Sequence, residues 1–434
     1  MSKITKRLMP YMARILASDN LLNTKRAVLE FKRRVSHQPF KLELFVAISD
    51  PYSYLLLQIL PELVTRFNLE VSLFTVRDKQ QEMFPEPYKW HTNSLQDAGY
   101  LGHLYKLEFP LFSSSQQFSE TRIDSDTAKL LSVEGQPDVY NKMRDVFDSY
   151  WLKQANQEQD QGTCQLDQAL TAQLEKNQQY LHQQGHYFSA MIKFAGEWYW
   201  GLDRLDHLEK RLNKLGVSKL PEQVCYDLQT RDFCASPSSP EIVKHDLVMY
   251  FSARSPYSYL GLEQAVKLCT HYQCNLVIKP VLPMMMRGMN VPHNKKMYIF
   301  HDTKREASKL NIPYGFVADP LGKAVENCYA LFDFARSQGK EVNYLLAFSR
   351  AVNSCGIHAD NDHGMRLIVQ NCGLDWNEAK KHLNNQDWRQ WAECNLRDLN
   401  ALGLWGVPCF QYGNIVTWGQ DRLWLIEKEM TRGL

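Results

Sequence analysis

Two stretches decide the architecture: "SDPYSYLLL", Ser49–Leu57, and "RSPYSYLGL", Arg254–Leu262. PYSYL is common to both, and the residue before it is Asp50 in the first and Ser255 in the second. Each phrase lies within a longer match. The first copy reads "LELFVAISDPYSYLLLQILPELVTRFNLEVSLFTV" from Leu42, and the second "LVMYFSARSPYSYLGLEQAVKLCTHYQCNLVIKPV" from Leu247. Both have the pattern of an apolar β-run, a tight turn, a helix and a second β-run. That order predicts a βαβ unit with parallel strands. The far ends match as well. "KFAGEWYWGLDRLDHLEKRL" starts at Lys193 and "QYGNIVTWGQDRLWLIEKEM" at Gln411, each a strand, a turn, a strand and a helix opened by WGxDRL. Two anchors in the same order, separated by a long and mostly helical stretch, predict two tandem α/β domains, each with a helical insertion.

The copies are expected over 41–215 and 245–434. Residues 216–244, with Pro221, Pro237, Pro240 and several serines, read as a linker, and 1–40 as a helical extension. In the extension Ile4, Leu8, Met12 and Ile15 recur at helical spacing among Lys3, Lys6, Arg7 and Arg14, and Pro10 is expected to interrupt the helix. It has no apolar h-region, so a secretory signal is not expected. The acid-free start fits a mitochondrial presequence, and a packing or capping helix is the preferred reading. A Gln-rich segment from Lys153, "KQANQEQDQGTCQLDQ", reads as a solvated helix or loop without function.

Composition narrows the class. The 434 residues are 44% hydrophobic and 23% charged, which fits globular domains with real cores. Fifty basic and 48 acidic residues give a net charge of +2, so neither nucleic acid nor a membrane is expected as a partner. No apolar run is long enough to span a bilayer. The ten cysteines contain no CxxC pair and no spacing suited to zinc, so a reduced, cytoplasmic protein without a metal site is expected.

The turn before PYSYL carries the chemistry. Ser-Pro and Asp-Pro are equally good helix starts, with Ser or Asp as N-cap and proline in the first helical position. Capping alone therefore does not explain the difference between the copies. A helix N-terminus also offers free N–H groups and partial positive charge to an anion. Ser255 adds a hydroxyl that can donate to a thiolate, whereas Asp50 can only accept, and it repels. A second anchor is "GVPCF", Gly406–Phe410, just before a strand. Val407-Pro408 there is a candidate cis peptide, and the first copy aligns Ser189 and Ala190 with it.

The combination of a strand, an SPYS helix start, a helical insertion, Val-Pro before a strand, and WGxDRL resembles the kappa-class glutathione transferase and 2-hydroxychromene-2-carboxylate isomerase family. The resemblance covers nearly all of Asp246 to Met430 and is weaker over Lys41 to Leu212. It implies two tandem thioredoxin-like (DsbA-like) domains, the first degenerate, with glutathione as cofactor of the second. It places Ser255 beside the glutathione sulfur and Val407 and Pro408 along the tripeptide backbone. Asn290 and Lys295 are implied contacts of the glutathione, Lys295 facing a carboxylate. Gln420 and Asp421 are implied at the γ-glutamyl end, with Asp421 facing the amino group. Each residue also has a plainer reading: Asp421 as an acid at a helix start, Lys295 as part of a solvated patch with Lys296, Asn290 as a turn residue. In the first copy Asp50, Ala190 and Leu202 stand for Ser255, Pro408 and Gln420, and only Asp203 survives, so that copy is expected to keep the fold without binding glutathione.

The implied substrate is a small aromatic or conjugated electrophile, and "PMMMRGM", Pro283–Met289, is either its adaptable pocket or ordinary packing. An isomerase is expected first and a kappa-like transferase second. A DsbA-like oxidoreductase, with Cys409 as its thiol, and a non-catalytic glutathione-binding protein remain as rival classes. Because such relatives pair as homodimers, two fused copies suggest an intrachain pseudo-dimer in a monomeric chain.

Overall fold

A computed structural model describes the chain except residues 1–2, 78–82, 84, 111, 113–118, 156–163, 232–244 and 433–434, and gives only the backbone for 3–6 and 153–155. The chain divides into two compact units, Lys25–Thr230 and Met1–Thr24 with Arg231–Leu434. The helices α1 (Lys3–Leu16) and α2 (Asp19–Val35) come first. The expected extension over 1–40 is therefore not one body, because its first 24 residues group with the later unit and the rest with the earlier one. Nor does Pro10 interrupt α1: it forgoes one N–H donor, and the turns on either side stay helical.

In the first unit β1 (Lys41–Val46), α3 (Pro51–Arg66) and β2 (Glu70–Thr75) form the predicted βαβ unit. The inserted helices α4 (Pro87–Tyr105), α5 (Glu120–Val133), α6 (Val139–Ala155) and α7 (Gln168–Gln183) follow. Then come β3 (Met191–Phe194), β4 (Glu197–Trp200) and α8 (Leu205–Lys214). The sheet order is β2-β1-β3-β4, with β1 parallel to β2 and antiparallel to β3. β1 is apolar at four of its six positions, and those four, Leu42, Leu44, Phe45 and Val46, are all fully buried.

The later unit repeats this order with β5 (Leu247–Phe251), α9 (Pro256–Tyr272) and β6 (Leu276–Pro280). Its insertion comprises α10 (His293–Lys309), α11 (Lys323–Ala330), α12 (Phe332–Ser337), α13 (Glu341–Ser354), α14 (Asp362–Asn371), α15 (Trp376–Lys380) and α16 (Trp388–Ala401). β7 (Cys409–Tyr412), β8 (Ile415–Trp418) and α17 (Leu423–Met430) close it. The sheet order β6-β5-β7-β8 and its pairing senses reproduce the first sheet. The register repeats too: Phe45 faces Met191, and Tyr250 faces Cys409.

The stretch expected as a linker is only partly one. Residues 223–226 dock on the first unit through a fully buried carboxylate. Glu209 accepts from Arg66 Nη1 and, at 2.9 Å, from the backbone N–H groups of Cys225 and Tyr226. Arg66 Nη2 donates to the Gln223 carbonyl at 2.8 Å, and the Tyr226 hydroxyl donates to Glu62 at 2.7 Å. Pro237 and Pro240, and residues 156–163 of the Gln-rich segment, lie outside the described residues. Replacing Glu209 with Ala takes the closer of two carboxylates from the buried Arg66 guanidinium, leaving it only the exposed Glu62 at 3.4 Å. We expect a loss of about 3–5 kcal/mol, read by urea unfolding.

Candidate functional site

The site of the later unit is built where α9 begins. Ser255 is its N-cap: Oγ accepts from Ser258 N–H at 3.1 Å and donates to the Val407 carbonyl at 3.3 Å. The Val407-Pro408 peptide is cis. Pro408 O accepts from Gly419 N–H at 2.9 Å, which ties this loop to the WGxDRL turn. Gly419 has φ +98, a conformation L side chains rarely adopt, so the motif needs glycine there. The next residues, Gln420–Arg422, form a 3-10 turn that packs on α9. Gln420 is buried, and its Nε2 donates to Asp421 Oδ1 at 2.9 Å. Ser255, Val407, Pro408, Gln420 and Asp421, scattered in sequence, thus converge on the positive end of one helix.

Asn290 and Lys295 stand farther along. Asn290 is exposed in the loop before α10. Lys295 is in the first turn of α10, two turns before Asp302 and so on the same side of the helix. Asp302 accepts from the Tyr257 hydroxyl at 2.7 Å, which fixes that side toward α9. Burial alone lowers the Lys295 ammonium to about 8, so it is not part of a freely solvated patch.

The other mouth-side elements are held by two arginines. Arg254, next to Ser255, pairs with Asp319 through two bonds of 2.7 and 2.8 Å and reaches Met285 Sδ. Arg287 donates to the Trp405 carbonyl at 3.1 Å. The methionine turn, Met284–Arg287, is therefore anchored next to both the Ser255 turn and the loop of Val407. Cys409 is fully buried, donates to the Gly406 carbonyl at 2.9 Å, and is pushed well above the ordinary thiol range by burial. No cluster of metal-ligating side chains occurs among the described residues.

The first unit fills the corresponding place. Asp50 caps α3 by accepting from Tyr52 N–H at 3.3 Å, but it does more than cap. Its Oδ2 also accepts the hydroxyls of Ser53 and Ser189, both at 2.7 Å. Ala190 takes a left-handed φ of 53°, and its N–H donates to Ser53 Oγ at 3.1 Å. Asp203, the surviving site residue, accepts from Gln229 at 2.9 Å. Tyr52 donates to Asp97 as Tyr257 does to Asp302, over the same sequence separation of 45. These paired bonds align Trp90 with Lys295. Trp90 lies among Phe188, Trp200 and Tyr52, at ring-centroid distances of 5.5, 6.5 and 6.4 Å.

One relevant residue escaped the sequence reading. A side-chain carbon on Gly261 would lie 3.1 Å from the Phe410 ring and 3.4 Å from Pro408. Glycine there lets α9 approach the loop. In the first copy the paired positions are Leu56, fully buried, and Ala190. Bulk has moved from the loop to the helix, and the changed letter in PYSYLGL against PYSYLLL was the available signal.

Residues 246–431 match the family model of the DSBA-like thioredoxin domain. The 2-hydroxychromene-2-carboxylate isomerase of Sphingobium xenophagum is 24% identical over 186 residues, covering 41% of this chain and 94% of that protein. The 2-hydroxychromene-2-carboxylate isomerase of Pseudomonas putida is 23% identical over 191 residues, covering 42% and 93%. A solved structure of a 2-hydroxychromene-2-carboxylate isomerase aligns over 43% of this chain and 94% of its own, at 24% identity and a TM-score of 0.37.

Two substitutions probe this geometry. Ser255→Ala removes the acceptor of Ser258 N–H and is expected to cost about 1 kcal/mol in urea unfolding, whereas Ser255→Asp keeps the cap and costs little. Gly261→Leu overpacks the helix against Pro408 and Phe410 and is expected to cost about 1–3 kcal/mol. Residues 246–431 thus have a DsbA-like thioredoxin fold, and the chain is similar over 41–42% of its length to two 2-hydroxychromene-2-carboxylate isomerases.

Proposed function

We propose that the later unit is a glutathione-dependent isomerase of the 2-hydroxychromene-2-carboxylate isomerase type. The observation that carries this reading is Ser255, a hydroxyl at the N-terminus of α9 facing the loop of cis-Pro408. The two relatives named isomerases, matched over 94% and 93% of their own lengths, support an enzyme of thioredoxin fold.

In this reading glutathione supplies the sulfur. A free thiol near pKa 8.5 is only about 3% thiolate at neutral pH. Lowering its pKa by about two units requires about 2.7 kcal/mol of preference for the anion. A helix terminus gives about 0.3–1 kcal/mol and a hydrogen bond to a charged group about 1.5–3. The two together match the requirement. Ser255 then redirects its proton from the Val407 carbonyl to the sulfur and is a stabiliser, not a nucleophile. Val407 offers backbone groups to the peptide, and Gln420 and Asp421 take the γ-glutamyl amino end. Lys295 and Asn290 take a carboxylate end.

Held there by Ser255, Val407, Gln420, Asp421, Lys295 and Asn290, glutathione would supply a thiolate able to add reversibly to a conjugated carbon–carbon double bond, so that the bond could change geometry and the glutathione be recovered unchanged. No redox partner is needed, in keeping with the buried and protonated Cys409.

The direct test is isomerisation of 2-hydroxychromene-2-carboxylate by the full chain. We expect turnover with glutathione and none with S-methylglutathione, and a loss of up to about a hundredfold in Ser255→Ala. Turnover without glutathione would overturn the reading. A second test uses S-methylglutathione as ligand, since it has no ionising thiol. Lys295 is charged below about 8 and neutral above it. Affinity for the ligand's carboxylate is therefore expected to be greatest below that pH and to fall as pH rises through it. Lys295→Met should be weak throughout and lose this pH dependence.

A further inference from the structure

The helix α1 is mounted with its apolar side outward. Each residue turns an α-helix by about 100°, so Pro10 and Ala17 lie roughly opposite Leu8. Pro10 and Ala17 are the buried side. Ala17 sits so close to Gly315 that a side chain there would meet its Cβ at 2.6 Å. Tyr11 and Arg14 lean over one flank onto Phe316, at 5.2 and 5.4 Å from its ring. On the opposite side Leu8, Met12 and Ile15 are 53%, 58% and 62% exposed. Their spacing makes one stripe along the helix, extended by Leu16.

Charge says what covers this stripe. Arg7 and Arg14 are exposed along one edge of it, Arg14 over the Phe316 ring, and the sequence adds Lys3 and Lys6. No Asp or Glu precedes Asp19. The whole-chain charge of +2 conceals this segregation. A second copy of the helix laid on the stripe would bring like charges together. An anionic lipid surface meets both demands, with acyl chains for the stripe and headgroup phosphates for the arginines. No helix among the described residues is long and apolar enough to cross a membrane, so the contact is peripheral.

We propose that α1 docks this chain on anionic lipid bilayers, its Leu8–Met12–Ile15 stripe at the acyl boundary and Arg7 and Arg14 at the headgroups. This departs from the expectation of no membrane partner and is independent of the chemistry at Ser255. The test is co-sedimentation of the full chain with phosphatidylcholine vesicles with and without phosphatidylglycerol. We expect binding only to the anionic vesicles, weakening as salt rises. Leu8→Glu with Ile15→Glu should weaken it at least about tenfold, with unchanged far-ultraviolet circular dichroism. Arg7→Gln with Arg14→Gln should weaken it by about fivefold per charge and flatten the salt dependence. Absence of binding to either vesicle, or equal binding to both, would overturn the proposal. So would a chain dimer in light scattering that Leu8→Glu with Ile15→Glu dissolves, since the stripe would then be a contact between copies.

Discussion

The contact on which each unit's functional fate depends is that between a helix N-cap and the loop in front of the third strand. In the later unit Ser255 meets the Val407 carbonyl there at 3.3 Å. In the earlier unit Asp50 binds the Ser189 hydroxyl at 2.7 Å. Both contacts close the βαβ half of the fold onto its ββα half. The neutral hydroxyl leaves the helix end able to take an anion, whereas the carboxylate is itself the anion. It already accepts from two hydroxyls and a backbone N–H.

The neighbouring substitutions follow from that choice. Where the loop keeps Pro408, the helix carries Gly261 so that the two can approach. Where the loop has Ala190, the paired helix position is the fully buried Leu56, and the loop takes a left-handed turn held by Ser53. Lys295, half buried at the start of α10, gives way to Trp90 among other aromatic rings. The earlier unit has exchanged a set of groups suited to a polar ligand for packing and internal hydrogen bonds. That exchange supports the proposal that this unit keeps the fold without binding glutathione.

Much of this was legible in the sequence because the repeat supplied an internal control. The order of the elements, the parallel sense of the first two strands and the start of α9 followed from apolar periodicity and from Pro at the first helical position. The divergence of the copies was visible at Asp50 and Ser255. Less legible were features that depend on contacts between distant segments. The alignment of Trp90 with Lys295 needed the Tyr52–Asp97 and Tyr257–Asp302 hydrogen bonds, which no local pattern announces. The docking of residues 223–226 through Glu209 contradicted their linker-like composition, because one buried carboxylate outweighs local flexibility. The continuity of α1 through Pro10 shows the same limit for a single-residue breaker signal.

The central claim is that Ser255 and the end of α9 hold glutathione as its thiolate. Ultraviolet titration of glutathione bound to the full chain measures this directly, since the thiolate absorbs where the thiol does not. The account predicts a bound thiol pKa lowered from about 8.5 to about 6.5 in the native chain, and a pKa back near its free value in Ser255→Ala. A bound pKa that stays near that of the free thiol, or one lowered equally in Ser255→Ala, would contradict it.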